Sequence, residues 1–193
     1  MIEMSIDEYK ERSNRSKKLL LWFAMVSIIM VFAGLTSAYV VSKSRVDWKN
    51  FDMPISFFVS TILILFSSFT FHLAKRYTKQ DNQKSAGLML LITLLLGIFF
   101  VVFQFEGFKE LIKVGLYATG PTSTVTTSFL YVVVVAHLAH LAGGLISLLV
   151  IIINNYRRKY NSKNTIGIEL GAMFWHFLDF VWLYLFLFLY FIK

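Results

Sequence analysis

The 193 residues are 57% hydrophobic and 17% aromatic with only 16% charged, too apolar a mixture for a water-soluble domain of this size. The formal charge of +8 does not point to nucleic acid, because the basic residues sit in short segments between apolar blocks, where anionic lipid headgroups are the natural counterions. With no cysteine in the chain, disulfides, thiolate metal sites and thiol nucleophiles are all excluded.

The first 18 residues are polar and charged. The apolar block that follows is too long for a signal-peptide core and lacks a small-residue cleavage pattern, so it reads as a retained helix. Apolar blocks free of Lys and Arg run over 19–41, 55–74, 86–105, 126–153 and 168–192. Each is about the length a helix needs to cross roughly 30 Å of hydrocarbon, and none alternates as a barrel strand would. These blocks predict an all-α integral membrane protein, a bundle of five transmembrane helices over 19–193 preceded by a tail at 1–18. Pro54 and Pro121 fall at or outside helix ends, so the helices are expected to be largely unkinked. The longest connection, 106–125, carries Gly107, Gly115, Gly120 and Pro121. Its helix-like stretch, 108–117, is expected in the outer interface, with Gln104 just before it as an interfacial residue.

Basic residues set the orientation. Lys10, Arg12, Arg15, Lys17 and Lys18 precede the first block, Lys75, Arg76, Lys79 and Lys84 follow the second, and Arg157, Arg158, Lys159 and Lys163 follow the fourth. Lys43, Arg45, Lys49, Lys109, Lys113 and Lys193 fall on the other side. The richer side is cytoplasmic by the positive-inside bias, which puts the N-terminus inside, the tail in the cytoplasm and the C-terminus outside.

Ionisable groups inside hydrocarbon are costly, and each one present is a candidate for function. His137 and His140 share a face of the fourth helix, and His176 and Asp179 share a face of the fifth. At about 1.5 Å per residue, His140 and either His176 or Asp179 reach similar depth, so a buried His–Asp hydrogen bond is predicted between neighbouring helices, with Ala136, Ala139, Ala142, Gly143 and Gly144 permitting close approach. The set reads either as polar clamps between helices or as a proton-handling or metal site. A haem is disfavoured, since two histidines three apart on one helix cannot take opposite axial positions, and nothing in the placement of His72, His137, His140 and His176 favours a pair from different helices. Glu169 opens the fifth helix, where a carboxylate favours the positive end of the dipole. Trp175, Asp179 and Trp182 form a stripe for packing against a partner helix or lipid. No nucleophile, metal-ligand set or phosphate loop stands out, and the chain alone is not expected to be an enzyme.

The run Phe174-Trp175-His176-Phe177-Leu178-Asp179-Phe180-Val181-Trp182-Leu183, with Glu169 upstream, resembles the last helix of subunit III of haem-copper terminal oxidases. His137-Leu138-Ala139-His140 followed by Gly144 resembles that family's penultimate helix, with Leu138 where the family has glycine. The stretch 63–72, with Ser67-Ser68 and Phe71-His72, resembles its fourth helix, and Met30-Val31-Phe32-Ala33-Gly34-Leu35 its third. The resemblance matches the five-helix form that lacks the first two spans. Two departures stand out. Ile28 follows Ser27 where the family often carries a carboxylate, and Gln104 and Glu106 are two apart where the family has Gln-x-x-Glu.

The resemblance implies a non-catalytic accessory subunit of a respiratory oxidase, cytochrome c or quinol, in a bacterial cell membrane. It implies packing against subunit I, with subunit II and other subunits nearby, haem and copper residing in those partners, phospholipid bound between helices, and support of proton uptake. Two alternatives remain: an accessory protein of nitric oxide reductase from the same family, and an independent small transporter or proton channel using His137, His140, His176 and Asp179.

Overall fold

The structure is a computed structural model that describes residues 6–46, 48, 51–120, 123–162 and 164–192; Lys49, Pro121, Lys163 and Lys193, which enter the sequence-based expectations, lie outside these. Five α-helices account for almost all of it: α1 (Ile6–Ser42), α2 (Ile55–Lys79), α3 (Gln83–Lys113), α4 (Val125–Tyr156) and α5 (Ile166–Phe191). All five are long and apolar enough to cross a membrane, as the sequence predicts.

Helices α1 and α3 overrun their apolar blocks furthest. α1 begins at Ile6, because the polar stretch before Leu19 is itself rich in helix formers and carries an i,i+4 pair, Glu11–Arg15 at 2.6 Å. α3 continues to Lys113, so residues from 108 onward extend the third span and are not a separate interfacial helix. Glu106 and Lys109 pair at 2.7 Å along this extension, and Glu110 accepts a hydrogen bond from Ser56 of α2.

Helices α2, α3, α4 and α5 form a ring in which each packs on the next and α5 closes back onto α2. α1 lies outside the ring, against α4 and α5. The core contains Phe71, Phe100, Leu90, Leu141, Leu148, Trp175 and Trp182, all essentially inaccessible.

The three basic segments share one end of the bundle, the basic end. The backbone N–H of Ser162 donates to Asp81 at 2.7 Å, joining the α4–α5 connection to the α2–α3 connection. Gln83 donates to the Tyr160 carbonyl at 3.0 Å, and the N-terminal turns of α1 border a cleft that also includes Asn164, Thr165 and Glu169. Three helices end in the same capping geometry, with the residue after the cap in the left-handed region and paired 6→1 and 5→2 backbone bonds. Gly115 fills that position after α3, Asp81 (φ 56°) after α2 and Arg158 (φ 52°) after α4.

Candidate functional site: the polar seam of α2 and α5

α5 faces α2 with a tryptophan every second turn, and α2 answers with hydroxyls. Trp175 Nε1 donates to Ser67 Oγ and Trp182 Nε1 to Thr61 Oγ1, each at 3.0 Å. Each hydroxyl in turn donates to its own helix, Ser67 to the Ile64 carbonyl and Thr61 to the Phe57 carbonyl. The hydroxyl group is therefore both donor and acceptor, and the indole N–H is satisfied in a region without water. Also along α2, Gln104 Nε2 of α3 donates to Ser60 Oγ at 2.8 Å, and Thr70 shares a 2.8 Å bond with Thr93 of α3. Gln104 is fully buried. It sits inside α3, which runs on to Lys113, and faces α2.

Glycines make room for this seam. A Cβ at Gly97 of α3 would lie 2.9 Å from Trp175 Cη2, and one at Gly144 of α4 would lie 2.7 Å from Leu178 Cδ1. Trp175 thus occupies space that only these two helices' small residues leave open.

The ionisable residues expected inside the membrane fall in two clusters, with no hydrogen bond or ion pair between the clusters among the described residues. In the first, His176 Nδ1 lies 2.6 Å from Ser68 Oγ and 3.9 Å from Asp179 Oδ2. Asp179 is buried, and although Ser68 is close, neither carboxylate oxygen closes a hydrogen bond. His176 and His72 line a cleft of about 360 Å³ toward the basic end, together with Lys18, Lys75 and Glu169. In the second cluster, His137 is fully enclosed by the rings of Phe32, Phe100 and Trp182, with centroids 6.2, 6.1 and 5.2 Å away, and neither ring nitrogen has a partner. His140 Nδ1 pairs with the Ala136 carbonyl of its own helix at 2.7 Å. The predicted bond between a fourth-helix histidine and Asp179 is not formed: His137 meets α5 at Trp182, among rings from α1 and α3, and His140 lies against Phe32 of α1, while α5 turns His176 toward Ser68 of α2.

Glu169 accepts from Thr165 Oγ1 at 3.1 Å and pairs with Lys79 at 3.2 Å, so its carboxylate ties α5 to the end of α2 as well as lying at the positive end of a helix. Among the described residues no three His, Asp or Glu gather in a group able to hold a metal ion.

The residues missed by sequence reasoning are the acceptors, Thr61 and Ser60, which carry no hydropathy signal. The only sequence cue to them is their position on one face of α2 with Ser67.

This architecture defines a polytopic helical membrane protein with interhelical hydrogen bonds at Trp175, Trp182, Gln104, Thr70 and His176. Residues 17–193 match the family model described as Cytochrome c oxidase subunit III. The chain is 34% identical over 191 residues to the cytochrome bo(3) ubiquinol oxidase subunit 3 of Buchnera aphidicola subsp. Baizongia pistaciae, covering 95% of this chain and 96% of that one. It is 31% identical to the cytochrome c oxidase subunit 3 of Bacillus sp. (strain PS3), covering 89% and 84%, and 28% identical to the probable quinol oxidase subunit 3 of Staphylococcus aureus strains, covering 88% and 85%. The chain belongs to the cytochrome c oxidase subunit III family. It is an accessory subunit of a respiratory haem-copper oxidase and a multi-pass protein of a bacterial plasma membrane.

Proposed function

We propose that this chain packs directly against subunit I of its oxidase, with subunit II and other subunits in the same complex, and that haem and copper reside in those partners. Its role is to stabilise the catalytic subunit, hold phospholipid and support proton uptake. The basic end faces the cytoplasm, so residues 1–18 lie inside and the C-terminus outside. His72, His137, His140, Glu169, Trp175, His176, Asp179 and Trp182 form a structural polar set at helix and lipid interfaces, within which Trp175, Trp182, His176 and Glu169 join α5 to α2. The observation that carries this reading is how the tryptophans are used: Trp175 and Trp182 are both consumed by hydroxyls of α2. Phospholipid is supported by an apolar groove of about 370 Å³ between α1 and α5, lined by Ile29, Phe32, Ala33, Phe177 and Phe180 among others.

Purification from the native membrane in mild detergent, with a visible spectrum and identification of co-purifying subunits, tests the partnership. Reduced haem bands together with a large haem-copper subunit are expected. A colourless preparation of this chain alone would favour an independent transporter, and co-purification with a nitric oxide reductase would assign it to that complex. Asp179→Ala is expected to shorten the working life of the complex while leaving its initial oxidase rate; loss of all activity in a normally assembled complex would overturn the structural role given to this residue.

A further inference from the structure

At the basic end a cleft of about 390 Å³ opens between α3 and α4, separate from the α1–α5 groove. Lys84 and Arg158 border it, and no acidic residue lines it. Neither of these two side chains makes a hydrogen bond or ion pair among the described residues. Asn155, only 5% exposed, lines the same cleft. Its Nδ2 donates to the Gln83 carbonyl at 3.3 Å, while its Oδ1 is buried without a donor. Gly87 allows this approach, since a Cβ there would lie 3.0 Å from Asn155 Nδ2. Leu88 and Leu91 continue the wall along α3, away from the helix end.

Arg158 adds an independent observation. It occupies the left-handed position after α4 that glycine normally takes, with its N–H on the Asn155 carbonyl at 2.9 Å and that of Lys159 on Asn154 at 3.0 Å. The equivalent residue after α2, Asp81, also departs from glycine, and there the side chain is engaged, accepting the Ser162 N–H. Strained non-glycine residues of this kind collect at ligand clamps. Two unpaired cations, a buried acceptor lacking a donor, and an apolar wall running into the bilayer describe complementarity to a phosphate with a hydroxyl beside it and acyl chains below.

We propose that this cleft binds the headgroup of an anionic phospholipid bearing a free hydroxyl, with Lys84 and Arg158 on the phosphate and Asn155 Oδ1 accepting from the hydroxyl. The proposal rests on the reading of phospholipid as a partner of this chain, and adds the place and the chemical class.

The test uses the full chain, delipidated in neutral detergent and titrated in native mass spectrometry with phosphatidylglycerol, phosphatidylcholine and soluble glycerol 3-phosphate. Phosphatidylglycerol should bind about tenfold more tightly than phosphatidylcholine, and Arg158→Gly and Lys84→Gln should each reduce its retention by about tenfold. Arg158→Gly should unfold at no lower temperature than the parent, because glycine takes the left-handed position freely. Phosphatidylglycerol retention in both variants as high as in the parent, or phosphatidylcholine binding as tightly as phosphatidylglycerol, overturns the proposal. Glycerol 3-phosphate binding as tightly as the lipid overturns the lipid assignment in favour of a soluble ester. If lipid binds but the variants match the parent, this site alone fails; if no phospholipid binds the parent, the wider reading of lipid as a partner fails with it.

Discussion

Half of the apolar window of α5 is buried inside the bundle, against 22% of that of α1, although the two helices pack side by side. α5 is held by two indole hydrogen bonds to α2, an ion pair to Lys79 and close fits to Gly97 and Gly144. α1 meets the ring through the hydrogen bond between Thr36 and Tyr184 at 3.1 Å and through Met25, Ile28, Phe32 and Tyr39. Lipid tails are as apolar as leucine, so burial alone separates a packed helix from a solvated one only weakly; fit and hydrogen bonding make the difference. α5 is therefore the organising helix, and α1 an attached one.

The largest test of that contrast is Trp182→Ala, which removes a buried ring, its bond to Thr61 and one wall around His137. It should cost about 3–5 kcal/mol in thermal or denaturant unfolding of the purified chain. A loss no larger than that from Phe23→Ala, at an exposed position of α1, would refute the ranking. Gly97→Ala comes next: its methyl meets Trp175, and about 1–3 kcal/mol should be lost. Gly34→Ala on α1 meets nothing within 4 Å and should leave stability unchanged or raise it by up to about 1 kcal/mol. A similar loss at both glycines would show that α1 is packed as closely as α5. Ser67→Ala strands the Trp175 N–H and should cost about 1 kcal/mol, measurable against Ser27→Ala, whose side chain is exposed.

The smallest effect is electrostatic and lies outside the membrane. The bond from Ser162 holds the Asp81 carboxyl below its ordinary value of 3.8. A carboxylate whose folded value is depressed stabilises fully above the unfolded value, and that contribution disappears as pH falls through the folded one. The tie between the two connections should therefore persist down to about pH 4 and be lost below it, and Asp81→Asn should remove the pH dependence of the protection of the Ser162 amide relative to its intrinsic exchange rate.

The five spans were readable because apolar runs of that length have few other uses. The two helix extensions were not, since hydropathy reports where lipid begins and not where hydrogen bonding ends; Glu11–Arg15 and Glu106–Lys109 sustain helix in water beyond it. The residues Trp175, His176, Asp179 and Trp182 were readable as a face of α5, but their partners were not. Thr61, Ser67 and Ser68 look alike in sequence, and only the rotation of α2 decides which hydroxyl meets which indole or imidazole. The same limit explains the misplaced His–Asp bond: depth along two helices was calculable, whereas the direction each helix faces was not.

The position of α1 also orders events during synthesis. It ends at Ser42, passes α2 and α3 without packing on either, and finds its first neighbour only when α4 begins at Val125. The first span to leave the ribosome is thus among the last to be seated, and a chain stopped before α4 would leave it solvated by lipid alone, with the α2–α3 hairpin already joined through Gln104 and Thr93.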